Sequence, residues 1–294
     1  MPPFRLALVG AGRMGATHSR ALATSRAVEV ACVVDPSDEA AAHVDAPRAT
    51  LETLPDVDGA LVCVPTRLHL EVVTQLAGLG LPILCEKPCG LTSVETREIA
   101  AHGARLQVAY WRRFVPALRE LRERIEAGGL GTIVFVSSAE LDEYPPTPSF
   151  RDPASSGGIV LDMGVHEFDQ LRWLTGQEIA TVTGVAGSVG WDAPVEGDPE
   201  LVQLALGLDG GIAATVTLAR RFPPGEVCRI EVVGLDGAEH LDFVAPPDGD
   251  ETIASALRAQ AEDFARDGGE GATAADALAA IEAAERANLA LGLP

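Results

Sequence analysis

One stretch near the start of the chain decides its fold: LALVGAGRMG, residues 6–15. The short apolar run Leu6–Val9 leads directly into the glycines, and a segment of good helix formers follows them. A GxGxxG pattern between a strand and a helix is the setting in which dinucleotides bind. Gly10 would permit the tight turn, Gly12 would let a pyrophosphate approach the backbone, and Gly15 would let the helix pack closely on the strand.

An acidic residue follows the next predicted strand, at the distance from the glycine loop that is typical of a ribose-binding carboxylate. The apolar segment Val28–Val34 ends in Asp35, 20 residues after Gly15. A carboxylate at about this offset binds the adenosine ribose hydroxyls of NAD and repels the 2′-phosphate of NADP. We therefore predict NAD over NADP. The alternative is a glycine turn in some other α/β protein.

Apolar strands and helices continue to alternate up to residue 109. Continuous apolar strands separated by helices predict a parallel sheet covered on both faces, so we expect a Rossmann domain over residues 1–113. Ligands bind at the carboxyl ends of such strands, where residues 65–69 and 86–88 stand. The predicted cofactor-binding residues are Gly10, Gly12, Arg13, Met14, Gly15, Asp35, Pro65, Thr66, His69, Glu86 and Lys87. Taken singly, a lysine at a strand end is more often a solvated surface charge.

The pattern changes after residue 113. Several strand-like segments follow one another without helices between them, which predicts an antiparallel sheet. We expect a second α+β domain over residues 114–250. Two Ala-rich helices over residues 251–294 are expected to pack back on the first domain. The predicted fold class is α/β, with an N-terminal Rossmann domain and a C-terminal α+β domain whose sheet is open and mainly antiparallel.

Charge and cysteine content exclude several classes of partner. A net charge of −21 and a pI near 4.6 argue against nucleic acid and against an anionic membrane surface. The 5 cysteines form no repeated CxxC pair, which favours free thiols in a reducing compartment over disulfides or a metal site. No targeting leader or membrane-spanning apolar run is recognisable. We expect a cytoplasmic protein without a bound metal.

A second stretch, residues 157–169, carries the candidate chemistry. Read as a helix, it puts Asp162, His166 and Asp169 at i, i+4 and i+7, so that two carboxylates flank an imidazole on one face. The opposite side is apolar and suits a protein interior. Two interpretations stay open at this point. His166 is either a core histidine bonded to Asp162 or a general acid/base on a cleft wall.

Four motifs together resemble the Gfo/Idh/MocA family of dehydrogenases. They are the glycine loop with His18 after it, Glu86-Lys87-Pro88, Arg112-Arg113-Phe114, and the pattern GGxxxDxxxHxxD that begins at Gly157. The motifs span residues 6–175, and their combination is specific although each alone is not. The resemblance implies a Rossmann domain followed by an open antiparallel sheet that often forms the oligomer interface, and hence a homo-oligomer, either a dimer or a tetramer.

The resemblance also implies roles for individual residues. Lys87, Asp162 and His166 are similar to the family's catalytic trio. Asp169 would help to hold the substrate, and Glu86 would lie near the nicotinamide ribose. The Lys87–Pro88 bond would be cis. Trp111 would lie near the nicotinamide and substrate, where it either stacks on a sugar ring or fills space. By position, Arg112 either contacts the substrate or forms a structural salt bridge.

The chemistry of such a trio can be argued from the residue types. Oxidation of a secondary alcohol needs a base for the hydroxyl proton, and an ordinary histidine pKa of about 6.5 suits that role. Asp162 would orient the His166 ring and stabilise its charged form, and Lys87 would donate to the alcohol oxygen. We therefore predict an NAD-dependent dehydrogenase of a cyclic polyol or sugar, with an inositol as the first substrate to test.

Two other functions remain open. One is a keto-sugar or imine reductase of the same fold, running in the opposite direction. The other is a catalytically silent NAD(H)-binding sensor. A sensor needs only the glycine loop and Asp35, so the presence of Lys87, Asp162 and His166 together argues against silence.

Overall fold

The structure is a computed structural model that describes residues 2–102, 105–188 and 195–294. Its strands are β1 (Phe4–Val9), β2 (Val28–Val34), β3 (Gly59–Val62), β4 (Ile83–Cys85), β5 (Leu106–Val108), β6 (Ile133–Leu141), β7 (Ile179–Gly187), β8 (Leu201–Leu208), β9 (Ala213–Ala219), β10 (Val227–Gly234), β11 (Ala238–Val244) and β12 (Ala272–Thr273). Its α-helices are α1 (Arg13–Leu22), α2 (Asp38–Ala41), α3 (His69–Gly78), α4 (Ser93–Ala101), α5 (Pro116–Glu126), α6 (Pro148–Arg151), α7 (Pro153–Ser156), α8 (Val165–Thr175), α9 (Gly249–Arg266) and α10 (Ala274–Leu291).

The described chain divides into two compact units. The first comprises Met1–Phe114 and Ala254–Leu278, and the second comprises Val115–Ile253 and Ala279–Pro294. The segment 251–294, whose two helices we expected to pack back on the first domain, is divided between the units. Most of α9 belongs to the first unit and most of α10 to the second.

The first unit is built on a six-stranded sheet in the order β12-β5-β4-β3-β1-β2. Strands β1 to β5 pair in parallel, as the continuous apolar runs predicted. Strand β12 pairs antiparallel with β5 and was not predicted, because two residues after a glycine-rich loop carry no periodicity. Helix α9 covers this sheet. Its Phe264 lies in the same core as Leu6, Leu8 and Leu61, and packs edge-on against the Phe4 ring.

The second unit contains a six-stranded sheet in the order β11-β10-β6-β9-β8-β7. Neighbouring strands are antiparallel except β6 and β9, which are parallel. The fold class is therefore confirmed, including its mainly antiparallel second sheet. In β8, exposed residues alternate with buried Val202, Leu204 and Leu206, so one face of this strand is open. The homo-oligomer predicted to use this sheet stays a prediction.

Two further expectations bear on the class of protein. All five cysteines are free thiols, as predicted, and four of them are buried: Cys32, Cys85, Cys89 and Cys228. Within the three described ranges, none of the helices has both the length and the apolar character needed to cross a lipid bilayer.

Candidate active site

Two glycines of the predicted nucleotide loop are required by packing. Gly10 has φ +95°, and a Cβ there would lie 2.6 Å from the carbonyl carbon of Cys63. A Cβ on Gly15 would lie 2.0 Å from the carbonyl oxygen of Gly10. Only residues without a side chain allow the loop to turn this tightly between β1 and α1. These are the roles that the sequence predicted for both positions.

The third glycine faces open space. A Cβ built on Gly12 meets nothing within 4 Å, and Gly12 is the N-cap of α1 without a side-chain cap. The first turn, which holds Arg13 and Met14, contains no acidic residue. Uncapped N–H groups at a helix N-terminus, beside open space, form a site for an anion such as a pyrophosphate. These residues therefore fit the dinucleotide that the sequence predicted.

Asp35 follows β2 and holds the glycine loop by hydrogen bonds to the backbone. Its Oδ2 accepts from the backbone N–H of Ala11 over 2.7 Å, and its Oδ1 accepts from that of Ser37 over 2.8 Å. Each carboxylate oxygen has two lone pairs, so both oxygens retain acceptor capacity for ribose hydroxyls. The structural role of Asp35 was not predicted.

The loop after β3 contains three predicted cofactor residues. Pro65 is exposed, Thr66 opens a 3₁₀ turn over Thr66–Leu68, and His69 begins α3. His69 is buried, with Nε2 3.0 Å from the carbonyl oxygen of Val64 and Nδ1 3.0 Å from that of Pro88. Both ring nitrogens thus face backbone carbonyls, so His69 joins two loops. The cofactor contact predicted for His69 stays a prediction.

The pKa of His69 reflects its burial. Desolvation lowers the pKa of this imidazole, although the carbonyls of Val64 and Cys89 favour its charged form. The joined loops are the one that ends β3 and the one that carries Lys87. His69 therefore supports the position of the lysine loop.

Glu86 and Lys87 follow β4 directly. Glu86 is buried, and its Oε1 lies 2.7 Å from Nε2 of His18 on α1. Its Oε2 accepts from the backbone N–H of Lys87 over 3.0 Å. Burial alone would raise the pKa of Glu86, but the hydrogen bond and charge of His18, together with the charge of Lys87, lower it. The Lys87–Pro88 bond is cis, as predicted.

Trp111 and Arg112 lie in a 3₁₀ turn, Trp111–Phe114, after β5. Both side chains are buried, and the Arg112 guanidinium lies 5.8 Å from the centre of the Trp111 ring. An ion pair of this turn is formed by Arg113, whose Nη2 lies 3.2 Å from Asp276 Oδ1. One face of the indole is therefore covered by a cation from the same turn.

The acid/base stretch of the second unit begins as a π-helical turn. We predicted one α-helix from residue 157, but Gly157 and Gly158 have φ +80° and +71°. Helical structure then starts as a π turn, Val160–Gly164, and continues as α8. Such wider turns are frequent at functional sites. Asp162 lies in the π turn, and His166 and Asp169 lie in the first part of α8, all three buried.

Asp162 is held by an arginine that the sequence did not reveal. Arg220, directly after β9, donates from Nη1 to Oδ2 of Asp162 over 2.6 Å and from Nη2 to Oδ1 of Asp198 over 3.2 Å. Asp198 in turn accepts from Nε of Arg151 over 2.8 Å. Burial would lower the pKa of Arg220, but the charges of the two carboxylates raise it.

The sequence carries only a weak signal for Arg220 and Asp198, neither of which was predicted as a site residue. Arg220 follows an apolar strand, and a charged residue there is as easily explained by solvent exposure. Asp198 lies 22 residues away in a polar loop. Nothing local links these positions to Asp162, so only their contacts identify them.

The predicted residues are distributed over both units. The glycine loop, Asp35, Glu86 and Lys87 belong to the first unit, whereas Asp162, His166 and Asp169 belong to the second. In the part of the chain that the structure describes, no cluster of three or more His, Cys, Asp or Glu side chains is placed to hold a metal ion.

Comparisons with known proteins match two successive parts of the chain to two family domains. Residues 4–114 match an oxidoreductase family with an NAD-binding Rossmann fold, and residues 118–238 match the GFO/IDH/MocA C-terminal domain. The chain is 47% identical to the rhizopine catabolism protein MocA of Rhizobium meliloti, over 98% of this chain and 95% of that protein. It is 32% identical to an inositol 2-dehydrogenase of Rhizobium meliloti strain 1021, over 80% and 74% of the two chains.

A solved structure gives the same result. It comes from Sinorhizobium meliloti 1021 and carries a proposed assignment as a myo-inositol dehydrogenase. It superposes with a TM-score of 0.89 at 28% identity and covers 98% of this chain and 97% of its own. The resemblance seen in the sequence is confirmed: the chain belongs to the GFO/IDH/MocA family of NAD-binding oxidoreductases.

Proposed function

We propose that this protein is an NAD-dependent dehydrogenase that oxidises a secondary hydroxyl of a cyclic polyol, with His166 as the base. The observation that carries the proposal is the setting of Asp162. This carboxylate is buried, held by Arg220, and lies four residues before His166 on one continuous helical segment. A carboxylate and an imidazole at this spacing are neighbours on a helix, which suits acid/base work.

Each proposed residue has a separate task. His166 takes the hydroxyl proton, and the carboxylate of Asp162 stabilises the imidazolium that results. Lys87 donates a hydrogen bond to the alcohol oxygen as negative charge develops there. Asp169 accepts from another hydroxyl of the substrate. Bound NAD would supply the hydride acceptor, and the open N-terminus of α1 with Asp35 would hold it.

The position of Lys87 is supported by its neighbours in the first unit. Glu86 accepts from the Lys87 backbone, and His69 contacts the carbonyl of Pro88 on the other side. Lys87 as a residue is half-buried, and a partly buried charge is less screened than one at an open surface. A lysine held in this way is better suited to a site than to general solvation.

The names of two relatives support two candidate substrates. The 32% identical relative is named for an inositol, and the 47% identical relative is named for rhizopine catabolism. We propose that the substrate is an inositol or rhizopine. The higher identity and the nearly complete coverage of the MocA protein favour testing rhizopine alongside the inositols.

The test is NADH formation by the purified protein with myo-inositol, scyllo-inositol, rhizopine and a set of aldoses. We expect turnover of at least one cyclic polyol. His166→Ala should lower kcat by about 10²-fold or more while NADH affinity stays close to that of the wild type. Arg172→Met is the matched control, since Arg172 lies on the same helix and pairs with the exposed Glu178. A protein that binds NADH but oxidises none of these compounds would favour the sensor alternative.

A further inference from the structure

We infer that Arg220 is a positioning residue that keeps Asp162 ionised and oriented for its work on His166. The inference deepens the proposed function and rests on it. No feature of the four motifs includes Arg220, and its role emerges from contacts between segments far apart in sequence.

The geometry is that of a bridge between two carboxylates. One guanidinium nitrogen of Arg220 engages Asp162 and another engages Asp198, at 2.6 Å and 3.2 Å. A planar guanidinium presents its donors in a fixed fork, so binding Asp198 also fixes the direction of the donor that reaches Asp162. The position of the Asp162 carboxylate is thereby tied to a second, distant anchor.

The anchor is itself held on two sides. Asp198 accepts from Arg151 through Oδ2, and its Oδ1 accepts from the backbone N–H of Ile159 over 2.7 Å. Ile159 directly precedes the π turn that contains Asp162. Asp198 therefore holds both the arginine that binds Asp162 and the backbone from which the Asp162 turn begins.

The charges alternate along this chain of residues. Arg151, Asp198, Arg220 and Asp162 carry two positive and two negative charges, so the group is neutral as a whole. Exposure is highest at the Asp162 end: the side chain of Asp162 is 11% exposed, against 0% for Arg220 and Asp198 and 4% for Arg151. The member closest to solvent is the one placed for acid/base chemistry.

A purely structural role explains this arrangement less well. Buried ion pairs contribute little net stability, because desolvation offsets their attraction. A buried carboxylate without a cation would tend to bind a proton, and a protonated Asp162 could not stabilise an imidazolium. Arg220 opposes that protonation. Among the described residues, the charged groups near Asp162 include Arg220 after β9, which contacts it, and Asp198 before β8, which shares that arginine. His166 and Asp169 follow it by four and seven positions on its own helical segment.

The effect on the Asp162–His166 pair has a definite sign. Removing the positive charge of Arg220 makes every protonation of the pair easier, so its macroscopic pKa values rise. The acidic limb of kcat/KM should then move to higher pH. A lysine at position 220 would restore the charge but not the fixed fork that binds both carboxylates.

The experiment compares Arg220→Met and Arg220→Lys with the wild type, using Arg172→Met as the matched control. The pKa of His166 is followed by NMR of the histidine rings, with the signal assigned by His166→Gln. For Arg220→Met we expect an upward shift of about one pH unit and a kcat about 10- to 100-fold lower. Arg220→Lys should return the His166 titration towards the wild-type value and recover only part of kcat. NADH affinity should be unchanged.

Two results would overturn the inference. One is an Arg220→Met protein whose His166 titrates as in the wild type. The other is a loss of kcat no larger than that of Arg172→Met. If Arg220→Met does not fold, Arg220→Lys and Asp198→Asn are measured instead, and each must change the His166 titration or kcat. If the wild type oxidises no compound of the panel, the proposed function fails, but the NMR titration still tests Arg220.

Discussion

The two sets of candidate residues, the nucleotide half in the first unit and the acid/base half in the second, are built in opposite ways. The nucleotide half rests on six consecutive residues, 10–15, whose essential feature is the lack of side chains at Gly10 and Gly15. The acid/base half rests on charged side chains from four separate segments, at residues 151, 162, 198 and 220. One is a property of a local backbone, and the other is a property of long-range contacts.

The difference shows why the two halves should respond differently to mutation. The glycine loop is destabilised when an added side-chain atom clashes with the backbone, whether that atom is polar or apolar. A buried charge network fails when one member is removed, because the partners stay buried without a counter-charge. The variants below test this contrast, beginning with the largest expected effect.

Asp198→Ala should destabilise the protein more than any other single change considered. It leaves the buried guanidinium groups of Arg151 and Arg220 without their shared carboxylate, which should lower the free energy of unfolding by about 3 to 5 kcal/mol. Glu178→Ala is the matched control. It also removes the carboxylate partner of an arginine, Arg172, but the Glu178 side chain is 60% exposed. Thermal and urea unfolding measure both. Equal losses for the two variants would contradict the charge network.

Alanine at Gly10 and at Gly12 should separate stability from binding. Gly10→Ala adds a Cβ against the Cys63 backbone at φ +95° and should cost about 3 kcal/mol. Gly12→Ala meets open space and should change stability by less than about 0.5 kcal/mol. It should nevertheless weaken NADH binding by about tenfold, or ~1.4 kcal/mol. Unfolding curves and NADH titrations provide the two measurements, and unchanged NADH affinity in Gly12→Ala would argue against a pyrophosphate there.

Asp35→Ala should affect cofactor choice more than stability. The wild type should prefer NADH to NADPH, and the variant should reduce that preference by about tenfold as the ribose contact and the repulsion of the 2′-phosphate are lost. Loss of the hydrogen bonds to Ala11 and Ser37 should cost about 1 kcal/mol. Ser37→Ala removes a nearby hydroxyl from the cap of α2 and serves as control. Equal efficiency of the wild type with both cofactors would contradict the prediction.

The smallest expected effect is a change in the pH dependence of stability at Glu86. Its pKa is lowered in the folded protein, so the stability it contributes is present above its ordinary pKa of about 4.3 and is lost as pH falls through the lower, folded value. The stability difference between wild type and Glu86→Gln should therefore shrink below about pH 4.3, by no more than ~1.4 kcal/mol per pH unit. A stability difference that stays constant below about pH 4.3 would contradict a stabilising role of the His18–Glu86 contact.

Much of the fold could be read from local patterns. Continuous apolar runs predicted the parallel strands of the first sheet, and closely spaced strand-like segments predicted the second. The parallel pairing of β6 with β9 and the short β12 were not predicted, because register and edge pairing depend on partners distant in sequence. The π turn at residues 160–164 was not predicted either, because helical periodicity in the sequence does not distinguish a π turn from an α-helix.

The candidate site residues likewise fall into those that local spacing predicted and those whose contacts only the structure shows. Gly10, Gly12, Gly15 and Asp35 were recognisable because a dinucleotide loop needs its residue types at short, fixed spacings. The spacing of Asp162, His166 and Asp169 also indicated a shared face. The sequence could not show that His69 turns both ring nitrogens to backbone carbonyls.

The amino-acid sequence alone thus indicated the family, the order of the two domains and the residue types available for chemistry, since each is read from short motifs and from their order along the chain. Only the tertiary structure decided which charges surround those residues. Arg220 lies 58 residues from Asp162 along the chain and 2.6 Å from it in space. Burial and Coulomb interactions depend on distance in space, so the electrostatic setting of Asp162 arises only when the chain has folded.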